Sequence, residues 1–93
     1  MIVSIIRVKL YAPWIHSLKE KRKLVKSLCQ KLKNRFNVSV IESDAQDIHQ
    51  TIIVSIAFLS SDNAQAGKTQ EGIYHFILSS TDAQILDFDV EKL

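Results

Sequence analysis

Three groupings of reactive side chains stand out in this chain, and each has a plainer reading. Glu42, Asp44, Asp47 and His49 fall close together and have the donor types of a metal or acid–base site. Aspartates gather in turns for a local reason, because their carboxylates bond nearby backbone. No second His or Cys stands at a ligand spacing, so no metal or other cofactor is expected. Gly67-Lys68-Thr69 looks like the end of a phosphate loop. Asp62 stands where that loop needs its first glycine, however, and the triplet falls inside a helical pattern. Cys29 would need a neighbouring base and solvent access to act as a nucleophile, yet it lies on an apolar helix stripe and reads as core. No residue set identifies a reaction or a small-molecule substrate, and the chain is expected not to be an enzyme.

The remaining chemistry is that of clustered cations. Residues 1–35 hold ten Lys or Arg against one acid, a net of +9, and residues 36–93 hold two against nine, a net of −7. A clustered cationic surface concentrates polyanions, and RNA is the expected partner. Lys19, Lys21, Arg22, Lys23, Lys26 and Lys33 are the candidate phosphate ligands, with Arg7 and Lys9 as a second group. Trp14 and His16, beside Tyr11, are candidates for stacking on bases. The aromatic Lys/Arg-Gly pattern of sheet-face RNA readers is missing, only Phe58 being available on the third strand. Recognition of shape and backbone by a helix fits better.

Six elements must position these residues. Ile2 to Tyr11 alternates as a strand, with Ile2, Ile6, Val8 and Leu10 on one face and Val3, Ile5, Arg7, Lys9 and Tyr11 on the other. Pro13 ends it. Ser17 and Glu20 have capping-box spacing and open a helix packed through Leu18, Val25, Leu28, Cys29, Leu32 and Phe36. At about 100° per residue, Lys19, Arg22, Lys23, Lys26 and Lys33 share one arc beside that stripe. Asn37–Ser43 and Gln50–Ser60 are strands joined by a polar turn. Asp62 and Gln65 cap a second helix running to about Ser80, which Gly67 and Gly72 should soften by about 1 kcal/mol each. Ile85–Val90 is the last strand.

The order β-α-β-β-α-β predicts one ferredoxin-like α+β domain over residues 1–93, a four-stranded antiparallel sheet with two helices on one face. Both alternating sets of the third strand are apolar, as are Val3 and Ile5 on the open side. A homodimer covering the open face through Val3, Ile5, Ile52, Val54, Ile56 and Phe58 is therefore expected. No uncharged apolar run reaches the roughly 18 residues of a membrane span, and a lone cysteine suits a reducing compartment. The expected location is the cytoplasm.

The stretches IHSLKEKRKLVKSL, NRFNVSVIESDAQDIHQ and VSIAFLSSD resemble the YlxP-like family of small, functionally uncharacterised bacterial proteins. The resemblance covers Met1 to about Asp62 and continues weakly to the end. It maps onto His16, Ser17, Leu18, Lys19, Glu20, Lys21 and Arg22, then Phe36, Asn37, Val38, Glu42, Asp47 and Gln50, and departs at Trp14 and His49. It implies a ferredoxin-like fold and a genomic setting among translation and ribosome-maturation genes, but no activity. Together these readings give a ribosome-associated accessory protein that binds structured RNA. The alternatives are a protein–protein module using the open sheet face, and an acylphosphatase-like enzyme, for which the loop from Tyr11 to His16 lacks the needed Arg.

Overall fold

Alternation along the first strand sets the two layers. The computed structural model describes residues 1–93. Its elements are β1 (Ile2–Tyr11), α1 (Leu18–Arg35), β2 (Ser39–Asp44), β3 (Thr51–Ser60), α2 (Asn63–Ser80) and β4 (Gln84–Lys92). The strands are antiparallel in the order β2-β3-β1-β4, the ferredoxin-like arrangement expected from the sequence. The caps form as their spacing predicts: Ser17 Oγ accepts from Glu20 N at 3.1 Å and Asp62 Oδ1 from Gln65 N at 2.8 Å. Neither helix is long and apolar enough to cross a membrane.

The core lies between helices and sheet. Ile6, Val8 and Leu10 of β1 and Ile52, Val54, Ile56 and Phe58 of β3 are buried against Val25, Leu28 and Leu32 of α1 and Ile73 and Ile77 of α2. This corrects the dimer-interface expectation for β3. Ile52 pairs with Leu10, Val54 with Val8, Ile56 with Ile6 and Phe58 with Ser4, so period-two geometry puts those four under the helices with the inward residues of β1. They face no partner. The open side of β3 instead carries Thr51, Ile53, Ser55, Ala57 and Leu59. Val3 and Ile5 pair with Leu59 and Ala57 and remain on that side, as expected.

The two glycines of α2 differ in what surrounds them. A Cβ at Gly72 would stand 3.3 Å from Phe36 Cε1, whereas at Gly67 it would meet nothing within 4 Å. Gly72 thus makes room for the Phe36 ring, which meets Phe76 edge-on at 5.7 Å between centroids. Gly67 has no such packing role. Gly67→Ala is expected to raise stability by about 0.5–1 kcal/mol through helix propensity, and Gly72→Ala to give less or a loss because the ring must move. Denaturation midpoints of the two variants test this, and a Gly67→Ala midpoint at or below that of the parent would contradict it.

Candidate functional site

Seven of the cations of α1 are exposed: Lys19, Arg22, Lys23, Lys26, Lys31, Lys33 and Arg35. None of them has a carboxylate within 4 Å, since both ion pairs in the molecule involve other residues. Lys23 points directly away from the buried stripe, with Lys19, Lys26, Lys33 and Arg22 following in turn along one side. Arg35 lies instead toward α2, its guanidinium carbon 6.0 Å from the centre of the Phe76 ring. The outward face of α1 is a cationic strip with free ammonium and guanidinium groups.

Lys21 is not part of it. It is 1% exposed, the largest fully buried side chain in the molecule. Its Nζ stands 3.0 Å from Glu42 Oε2, donates to the Ile48 carbonyl at 2.6 Å and donates to the Ala45 carbonyl. The expectation that Lys21 binds phosphate is thereby corrected. The reason is helical phase: Lys21, Val25, Leu28 and Leu32 succeed one another at four-, three- and four-residue steps, so the lysine lies on the inward stripe. Its ammonium ties α1 to β2 and to the turn after it. Ala45 in that turn takes a positive φ of 57°, and Asp44 Oδ1 accepts from its N–H at 2.8 Å.

Arg7 and Lys9 lie on the open side of the sheet, opposite α1, and form a separate group. Arg7 Nη2 is 3.4 Å from Asp44 Oδ2 across β3. Lys9 is paired in register with Asp87, and Arg7 with Asp89.

The connection from β1 to α1 is a tight turn. Ile15 N donates to Ala12 O at 3.2 Å, with Pro13 and Trp14 between, and proline favours the second position of such a turn. Ala12 and Ile15 are buried anchors, which leaves Trp14 outward and 44% exposed. Gln50 fixes the turn from the other side, its Nε2 donating to Pro13 O at 3.0 Å and its backbone carbonyl accepting from Ala12 N at 2.9 Å. Trp14 and His16 leave the turn on different sides. His16 lines an open groove of about 600 Å³ with Tyr11, Asp47 and His49. Trp14 lines a cleft of about 220 Å³ between α1 and the end of α2. No three His, Cys, Asp or Glu side chains converge as a metal-ligand group. Cys29 is half-buried against the core; burial pushes its thiol pKa up, Lys33 pulls it down and Glu42 pushes it up.

Residues 3–90 match the family described as "Protein of unknown function (DUF503)". The chain belongs to that family. It is also 39% identical over 61 residues to the "Uncharacterized protein YlxP" of Bacillus subtilis (strain 168), a match spanning 66% of this chain and 66% of the relative. Among solved structures it is similar to the "De novo designed protein Foldit4", with 16% identity and a TM-score of 0.48 over 99% of this chain and 94% of that one. The DUF503 assignment fits the resemblance drawn from the sequence. Lys21 and Glu42 both fall among the residues carrying that resemblance, so part of the motif is accounted for by an internal ion pair.

Removing one partner of a buried pair strands the other. Lys21→Met is therefore expected to destabilise the domain by about 3 kcal/mol, whereas Lys23→Met should change stability by less than about 0.5 kcal/mol. Urea unfolding of both variants checks the contrast. Equal effects would mean that Lys21 is held no more firmly than its exposed neighbours.

Proposed function

We propose that this is a non-catalytic accessory protein of the cytoplasm that binds structured RNA of the ribosome through the outward face of α1. The observation that carries this reading is the strip of exposed cations on α1 with no acidic partner. A helix face kept only for solubility and stability would gain from Glu–Lys pairs at four-residue spacing, and this one has none. Lys19, Lys23, Lys26 and Lys33 would neutralise phosphates, and Arg22 offers a planar fork suited to bidentate phosphate bonding. Arg7 and Lys9, on the other sheet face, are left out of this surface.

Binding to ribosomal small-subunit particles and to naked RNA across a salt series tests the reading. Each phosphate contact contributes roughly −0.7 to −0.9 to the slope of log affinity against log salt, so a slope of about −3 or steeper is expected. Reversing Lys19, Lys23 and Lys26 together to Glu should weaken binding at least tenfold and flatten the slope by about two units, with the fold intact by circular dichroism. Unchanged affinity in that triple variant would sink the proposal.

A second reading, self-association, is favoured by the open sheet face. Val3, Ile5, Ala57 and Leu59 form an apolar area there, extended by Ile41, with Leu59 65% and Ile41 61% exposed. The same face carries Arg7 and Lys9 on β1 beside Asp87, Asp89 and Glu91 on β4, so two copies of it are complementary in charge as well as in apolar surface. A homodimer is the expected species at tens of micromolar, and Leu59→Asp should dissociate it. Light scattering at the 10.6 kDa monomer mass for the unaltered chain would rule this reading out.

A further inference from the structure

The cleft beside Trp14 has a chemistry that the outward face of α1 lacks. Its lining is Trp14, Leu24, Ser27, Leu28 and Lys31, closed on the other side by Ser80, Thr81 and Asp82. Leu24 and Leu28 supply apolar lining and Trp14 an aromatic ring. Two of the hydroxyls are already committed, since Ser80 Oγ donates to Phe76 O at 2.6 Å and Thr81 Oγ1 accepts from Ala83 N at 3.1 Å. Lys31 and Asp82 are not committed. They come from different elements, line the same cleft, and form no ion pair with each other or with any other residue. An apolar slot with an aromatic ring, a free carboxylate and a free ammonium suits a flat heterocycle with polar edges and an attached phosphate.

The path from the cationic strip to this cleft is continuous. Lys19, Lys23, Ser27 and Lys31 are four residues apart in succession and form one inclined ridge across the helix surface. The ridge begins on the outward strip and ends at the cleft. A polyanion lying along α1 is thus led to Trp14. The backbone that presents the indole is anchored by the buried ends of its turn, Ala12 and Ile15.

We propose that the cleft between α1 and the end of α2 takes one unpaired nucleobase of the bound RNA, stacked on Trp14, with Asp82 accepting from an exocyclic amine and Lys31 binding the adjoining phosphate. The proposal rests on the RNA reading above and adds to it the place where a base is read. The carboxylate sets a preference. Cytosine, adenine and guanine present an amino donor and uracil does not, and Asp is a suitable acceptor for the cytosine amine.

Trp14 is the single tryptophan, so its fluorescence reports on the cleft directly. Short oligocytidylate and oligouridylate are titrated against the whole chain, with Trp14→Ala and Asp82→Asn as variants and anisotropy of labelled RNA as a second readout. Oligocytidylate is expected to quench Trp14 and to bind more tightly than oligouridylate. Trp14→Ala should weaken binding about 5- to 150-fold, the range for one base stacked on an aromatic ring. Asp82→Asn, which strengthens binding to any polyanion by removing a negative charge, should bring the ratio of the two affinities toward one. Thermal unfolding monitors whether Trp14→Ala keeps its fold, and the quenching of the unaltered protein needs no variant.

Failure of the two proposals looks different. Salt-dependent binding that is lost on reversing Lys19, Lys23 and Lys26, with unquenched Trp14 and full affinity in Trp14→Ala, overturns the base site and keeps the RNA surface. No binding of either oligonucleotide or of ribosomal RNA overturns both.

Discussion

The arrangement around α1 depends on one buried ammonium group. A lysine carries three N–H donors and no acceptor; Lys21 Nζ donates to the carbonyls of Ala45 and Ile48 and stands 3.0 Å from the Glu42 carboxylate as an ion pair. An unpaired charge at 1% exposure would be prohibitive, so the helix can dock only where the turn after β2 supplies those oxygens. The dependence runs both ways. The turn holds a non-glycine residue at positive φ, a conformation that needs support from its surroundings, and the lysine provides it. From the turn the constraint passes through Gln50 to Pro13 and so to the loop presenting Trp14. One ion pair therefore orients the helix, the turn and the loop between them.

The same interaction sorts the charges. The +9 of the first 35 residues is not one surface. Lys21 is spent internally, Arg7 leans on Asp44, and Lys9 lies in register with the acids of β4. What remains lies on α1, with Lys19, Arg22, Lys23, Lys26 and Lys33 on its outward side and Lys31 and Arg35 toward α2. A strip carried by a helix packed on a sheet has fixed spacing between its charges, whereas lysines on a flexible tail do not. Fixed spacing is what allows shape, beyond charge alone, to select a polyanion.

Most of the architecture was legible in the chain because its signals are local. Alternation in β1, the caps at Ser17 and Asp62 and the four-and-three spacing of α1 each need only neighbouring residues, and the strand order follows from them. Phase is where the local signals mislead. Lys21 is surrounded in sequence by exposed cations, and only its place at the head of Val25, Leu28 and Leu32 marks it as inward. Its partner Glu42 is 21 positions away on another element, and no local rule pairs them. On β3 both alternating sets are apolar, which removes the usual signal. A finer one was present: the set containing Thr51 and Ser55 is the open one, and the set from Ile52 to Phe58 has no polar member. The cleft beside Trp14 was not legible, because Asp82 and Lys31 come to line one cleft only when the end of α2 is brought against α1.

The first half of α1 breaks two rules of helix stability. Lys19 stands in its first turn, where the helix dipole disfavours cations, and the single acid of that turn, Glu20, is engaged by the cap. Lys19 with Lys23 and Arg22 with Lys26 are like-charge pairs at four residues, each destabilising by about 0.2–0.5 kcal/mol. Lys19 with Arg22 and Lys23 with Lys26 repeat the conflict at three. The four pairs together cost about 1–2 kcal/mol, against a net stability of about 5–15 kcal/mol. Replacing any of these cations with glutamate would relieve the repulsion without touching the core. Local conflicts of this kind, in a sequence otherwise consistent with its fold, collect at functional surfaces. A bound polyanion would offset this repulsion by setting negative charge beside all four cations, so RNA would stabilise the helix it binds.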